Sequence, residues 1–168
     1  AHLAKRTART VALNPSMRDA FEGRGVSAET LTVVPNGVDT TQFDDVTAAE
    51  RAAARERFGV TADVVALFVG TVTPRKGVRE LAEATTDLFP VDHTDAEVVV
   101  VGNTDMEPAY VDAVETTLAE GGVDDRVTLT GFVSERDLAA LYDLADLLVL
   151  PSFEAGSSIT VSDALAAG

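Results

Sequence analysis

The 168-residue chain contains no cysteine, which removes disulfides and thiolate chemistry from consideration. Imidazole is almost as scarce. The two histidines, His2 and His93, stand apart with nothing near either at ligand spacing, so no metal and no cofactor is expected. Long apolar runs are missing too. The runs Val64 to Val69, Val98 to Val101 and Leu147 to Leu150 fall far short of the roughly 20 residues that span a bilayer. Residues 1–14 lack the apolar stretch of a signal peptide, and no transmembrane segment is expected. Lysine is the other shortage: only Lys5 and Lys76 occur among 13 basic residues, and 28 acidic residues bring the net charge to −15. Such a surface repels phosphate backbones, so nucleic acid is not an expected partner. It also suits a protein kept soluble in high salt, and a halophilic source is expected. An ordinary acidic cytoplasmic protein is the alternative.

What is present is a regular alternation of strands and helices. Thr10 to Leu13 and Leu31 to Val34 read as extended, around a short helix with Ser16 and Asp19 as its capping pair and an end near Gly23. Thr47 and Glu50 form a capping box ahead of an Ala- and Arg-rich helix. Val64 to Val69, Ala96 to Val101, Val127 to Thr130 and Leu147 to Leu150 follow as strands. The first three are closed by Gly70, Gly102 and Gly131, and the last by Pro151. Between them run helical stripes: Val78, Leu81, Ala82, Thr85, Leu88 and Phe89, ended by Pro90; then Tyr110, Val111, Val114 and Leu118, ended by Gly121 and Gly122. Ser134 with Asp137 starts a helix carrying Leu138, Leu141 and Tyr142, and Ile159 to Ala167 forms a last one. Apolar strands separated by amphipathic helices predict a parallel sheet buried on both faces, a Rossmann-like doubly wound α/β architecture.

Ligands of open parallel sheets bind beyond the carboxyl ends of the strands. Glycines at those ends serve either tight turns or close approach by a ligand. The segment Gly70-Thr-Val-Thr-Pro-Arg-Lys-Gly77 places Arg75 and Lys76 where a helix begins, a position that favours an anion. A solvated pair offsetting nearby acids is the other reading. The glycine spacing is not that of a Walker loop. The final segment, Pro151 to Gly168, supplies Glu154, a Gly-Ser-Ser turn and Asp163 in the following helix.

In this order the segments resemble the large retaining glycosyltransferase family that uses nucleotide-sugar donors in a two-domain GT-B fold. The matching landmarks are Val34-Pro-Asn-Gly-Val-Asp39, Phe68 to Gly77, Val98 to Gly102, Gly131-Phe-Val133, Leu141-Tyr-Asp-Leu-Ala-Asp146 and Pro151 to Gly168. The resemblance implies a C-terminal donor-binding domain over residues 37–168, with residues 1–36 as the end of an acceptor domain. It is that of half a GT-B fold, incomplete at both ends. It further implies transfer of a sugar with retention of anomeric configuration, without a metal. By the same resemblance Lys76 and Glu154 are the catalytic residues. Gly70, Arg75, Lys76, Ser158, Ile159 and Thr160 take the donor phosphates. Gly131, Phe132, Val133 and Asp163 take the nucleobase and ribose, and Glu154, Gly156 and Ser157 the sugar.

Three positions depart from the family pattern. Thr71 stands where an arginine is usual, and Arg75 is the candidate to supply that charge. Direct alignment from Pro151 puts Ala155 at the first acidic position, with Glu154 one place early. Asp163 replaces a glutamate. The expected partners are a nucleotide-sugar donor and an acceptor of unknown identity, lipid-linked or glycan. The expected location is the cytoplasm, with peripheral attachment at the inner membrane face left open. This chain alone is expected to bind donor without turnover. A non-catalytic nucleotide-binding module and a sugar-nucleotide epimerase of the same fold are the alternatives. A dehydrogenase lacks its G-x-G-x-x-G loop here, and a receiver domain its acidic cluster.

Overall fold

Val64 to Val69 and Ala96 to Val101 carry β-branched side chains without polar alternation. Such segments are stable only where both faces of a sheet are covered. The computed structural model, which describes residues 7–89, 95–153 and 158–168, places them at the centre of a four-stranded parallel sheet. In chain order the elements are β1 (Thr10–Ala12), α1 (Pro15–Glu22), β2 (Leu31–Val33), α2 (Ala48–Phe58), β3 (Val64–Val69) and α3 (Val78–Leu88). Then come β4 (Ala96–Val101), α4 (Pro108–Gly121), β5 (Val127–Gly131), α5 (Glu135–Leu144), β6 (Leu147–Leu148) and α6 (Ile159–Ala167).

The sheet order is β5-β4-β3-β6, so the chain moves outward from β3 to one edge and then crosses back to the other. β3 pairs with β4 in full register, Val64 opposite Ala96 through Val69 opposite Val101. Successive side chains of a strand point to opposite faces, and the core divides accordingly. Val65, Leu67, Val99 and Val101 pack with Ala54 of α2 and with Ala140, Leu141, Tyr142 and Leu144 of α5. Phe68, Val98 and Val100 pack with Val78 and Ala82 of α3 and with Val111, Val114 and Leu118 of α4. The doubly wound expectation is met. β1 and β2 form a separate two-stranded parallel sheet, with Ala12, Val26 and Leu31 buried around it.

Local chemistry explains most boundaries. Thr47 accepts from the Glu50 amide while the Glu50 carboxylate accepts from the Thr47 amide, the expected capping box. Ser134 accepts from the Asp137 amide in the same way. At α1 the sequence expectation fails: the cap is Asn14, whose Oδ1 accepts from the Met17 amide at 2.7 Å, not Ser16. Pro15 has no amide to satisfy and suits the first helical position, which moves the cap one residue ahead of it. Leu88 also departs from its predicted stripe, being 61% exposed at the end of α3. Pro90, expected to stop α3, lies outside the described residues. β6 is shorter than Leu147 to Leu150 because it has a neighbour on one side only, although the Val149 amide still donates to the Leu67 carbonyl.

Candidate functional site

The turns after β3, β4 and β5 are stacked on one another by backbone hydrogen bonds. The Gly70 amide donates to the Val101 carbonyl at 2.8 Å and the Gly102 amide to the Gly131 carbonyl at 3.0 Å. The Val72 amide donates to the Asn103 carbonyl at 2.9 Å. A Cβ on Gly102 would collide with the Gly70 carbonyl, so this glycine serves loop-on-loop packing. Gly131 differs. Its φ is +68° and nothing lies within 4 Å of the position a Cβ would take, so its backbone borders open space.

Next to it in the chain, Phe132 and Val133 help line a cleft of about 240 Å³ between the β3 and β5 turns, with Gly70, Thr71, Asn103 and Leu138 among others. Its walls are mostly apolar, and Phe132 is 78% exposed at its rim. Lys76 ends the short 3₁₀ turn Pro74–Lys76 just ahead of α3, and its side chain folds back over Gly70. The Lys76 amide donates to the Thr73 carbonyl, and the Phe153 amide to the Arg75 carbonyl, which ties the turn to the segment after β6. The Thr160 hydroxyl donates to the Val69 carbonyl at 3.4 Å, bringing the first turn of α6 to the end of β3. Ser158 occupies the N-cap of α6 without a capping side-chain bond, and Ile159 is exposed. The carboxyl edge therefore collects a primary ammonium, the positive end of a helix and an apolar cleft. That set suits an anion joined to a flat, partly apolar group.

Asp163 lies further along α6, beside Tyr142. Burial pushes its carboxyl above the usual carboxylate range. Tyr142 donates to the Thr160 carbonyl, and burial followed by the nearby Asp163 charge raises its phenol above its ordinary value. Of the predicted site residues, Gly70, Lys76, Thr160, Phe132 and Val133 converge on the end of β3 and its cleft. Arg75 faces a neighbouring cleft with Thr71 and Thr73. Glu154, Gly156 and Ser157 lie outside the described residues. Asn103 and Leu138 line the main cleft without having been named as site residues from the sequence, Leu138 having been read as part of a helical stripe; the position directly after a strand-closing glycine was the available signal for Asn103.

Among the described residues no cluster of three His, Cys, Asp or Glu could hold a metal ion. No helix among them is long and apolar enough to cross a membrane. The larger groove, about 460 Å³ between β6 and α6, is lined chiefly by Leu147, Leu148, Leu150, Val161 and Leu165. Its carboxylate, Asp146, already accepts from the Val65 amide, so it has little to offer a polar ligand.

The architecture is that of a doubly wound parallel α/β domain, and comparison with known proteins gives the family. Residues 63–168 match the model of the glycosyl transferases group 1, and the chain belongs to that family. It is 38% identical over 112 residues to the alpha-D-kanosaminyltransferase of Streptomyces kanamyceticus, covering 66% of this chain and 28% of that enzyme. In structure it is similar to Anabaena HepE in complex with UDP and glucose, with a TM-score of 0.86 and 24% identity over 99% of this chain and 44% of the other. It is also similar to the C-terminal domain of the group 1 protein LpcC of Francisella tularensis, with a TM-score of 0.63 and 21% identity over 77% of this chain and 66% of the other. The chain spans between 28% and 36% of the curated relatives it matches.

Proposed function

We propose that this chain binds the nucleotide-diphospho-sugar donor of a sugar transfer that retains anomeric configuration. The activity of the whole protein is part of the proposal, because the chain covers about a third of its curated relatives' length. The observation that carries the reading is the position of Lys76. Its side chain passes over Gly70, which lines the apolar cleft with Phe132 and Val133, at the end of β3 where the Thr160 hydroxyl of α6 also bonds. Its side chain engages no acceptor among the described residues, in a protein with 28 acidic residues.

In this reading the base lies in the cleft against the Gly131 to Val133 backbone. Asp163 accepts from the ribose hydroxyls. The diphosphate sits between Lys76 and the free amides of Ser158, Ile159 and Thr160. Glu154, Gly156 and Ser157 are assigned to the sugar on the family resemblance. Transfer breaks the bond between the anomeric carbon and the β-phosphate oxygen. The acceptor oxygen bonds the same face of the sugar, and its proton passes to the departing diphosphate. Lys76 and the α6 dipole stabilise the negative charge that develops there, so the chemistry needs no metal. The UDP bound by HepE makes UDP the first nucleotide to try.

The test is a calorimetric titration of UDP, GDP and ADP into the folded chain, with Lys76→Ala in parallel. Removing a charge-assisted contact of this kind costs about 1.5–3 kcal/mol, so affinity is expected to fall at least about tenfold. A Lys76→Ala variant that binds as tightly as the parent removes Lys76 from the donor site.

A further inference from the structure

The capping pair that opens α5, Ser134 with Asp137, has a third member from α2. The Ser134 Oγ accepts from the Asp137 amide at 3.1 Å and donates to the Asp137 carboxylate at 2.7 Å. The same carboxylate accepts from the Arg57 guanidinium through both of its oxygens, at 2.7 and 2.6 Å. Arg57 stands in the last turn of α2, 80 residues earlier in the chain. The Asp137 side chain is only 21% exposed, so salt screens this pair less than one in open water. The tie sits at one end of the segment to which the base is assigned. At the other end the Gly131 carbonyl accepts from the Gly102 amide and from the Thr130 hydroxyl. Between these anchors Phe132 and Val133 make no backbone hydrogen bond among the described residues. Leu138, which lines the same cleft, donates its amide to the Ser134 carbonyl at 2.8 Å.

We propose that Arg57 is a positioning residue for the nucleobase, acting through Asp137 and Ser134 to hold the Phe132–Val133 wall of the cleft. The inference rests on the donor reading above. A stretch of backbone with no bonds of its own, fixed at both ends, meets a flat ring without having to be ordered first. That is how preorganisation adds affinity. Arg57 does not line the cleft, so it offers a ligand there no direct contact. Its effect is therefore confined to the part of binding that comes from the base. The diphosphate, assigned to Lys76 and the start of α6, does not sense it. The neighbouring residue supplies the contrast. Arg136 bonds the Glu50 carboxylate and the Asp45 carbonyl, which also ties α5 to α2, but it makes no bond to Ser134.

The chain, with folding verified by circular dichroism, is titrated with the tightest-binding nucleoside diphosphate and separately with inorganic pyrophosphate. Both titrations use the lowest salt in which the parent is folded. The ratio of the two affinities isolates the contribution of the nucleoside. It also cancels the loss of one positive charge, which weakens both anions alike. Arg57→Gln is expected to lower the ratio by about two- to fivefold, the range of an exposed ion pair. Arg57→Lys is expected to keep most of it. Asp137→Asn should lower the ratio at least as far as Arg57→Gln, and the double variant no further than Asp137→Asn alone, because Arg57 acts through Asp137. Arg136→Gln is expected to leave the ratio unchanged. A merely structural role for Arg57 would weaken both ligands together and leave the ratio where it was. The inference is overturned by that result, by independent addition of the two losses, or by an equal fall of the ratio in Arg136→Gln. A folded parent that binds no nucleoside diphosphate, or binds it no better than pyrophosphate, overturns the donor reading of the cleft instead.

Discussion

The carbonyl of Pro151 occupies the space that a Cβ on Gly77 would need. Gly77 has φ +72° and links the turn bearing Lys76 to α3, so the segment after β6 is seated directly on the cation-bearing turn. Gly77→Ala meets two penalties at once, a left-handed backbone and a clash with main chain. The first alone costs about 1–3 kcal/mol. Each kcal/mol lowers the melting temperature of a domain this size by about 2–4 °C. A drop of several degrees, with weakened nucleotide binding in the protein that remains folded, is the expected result of thermal scans and titration.

Glu97, the second residue of β4, is a buried carboxylate, 7% exposed. It accepts from the Thr61 and Ala62 amides and from the Thr61 hydroxyl, the last at 2.7 Å. It thus satisfies the backbone leading from α2 into β3. Glu97→Ala strands those donors, at about 1–3 kcal/mol for a buried unsatisfied group. Urea unfolding is expected to show a lower midpoint, and Glu97→Gln to restore part of the loss because its amide oxygen still accepts.

Glu50 is held at about 2, well below its ordinary value, first by the Arg136 guanidinium bonded to it and then by the Thr47 amide. A depressed carboxyl contributes stability above its unfolded value of 4.5 and loses it as pH falls towards about 2. The parent melting temperature should therefore fall more steeply than that of Glu50→Gln as pH drops through this window. Parallel curves for the two proteins would remove the pair from the acid response.

A net charge of −15 on a chain this size makes self-repulsion a term in folding. Raising salt from about 0.1 M to about 1 M shortens the screening length from about 10 Å to about 3 Å. The melting temperature is expected to rise over that range, although exposed ion pairs such as Arg57–Asp137 weaken. A falling melting temperature would refute the high-salt reading of the composition.

Much of this was legible in the sequence because it is local. The continuous apolar runs of β3 and β4 can only be buried strands. Their closing glycines mark the carboxyl edge of the sheet, where the candidate site is placed. The helical stripes of α4 and α5 pack as their spacing implies. Lateral order was not legible: no residue of β6 says that it pairs with β3 instead of β5. Neither was the parting of Arg75 from Lys76, since one residue of turn geometry sends adjacent cations into different clefts. Glu97 was not singled out from the sequence. Its role depends on Thr61 and Ala62, 36 and 35 residues earlier. The donor roles proposed for Lys76 and Asp163 come from the family resemblance and not from spacing.

The most direct test of the donor site is an amide chemical-shift map of the chain titrated with UDP or whichever nucleoside diphosphate binds best. The account predicts the largest perturbations at Gly70, Lys76, Phe132, Val133 and Ser158 to Thr160, lost together in Lys76→Ala. Perturbations confined to the groove between β6 and α6, or none at saturating nucleotide in the folded chain, would contradict it.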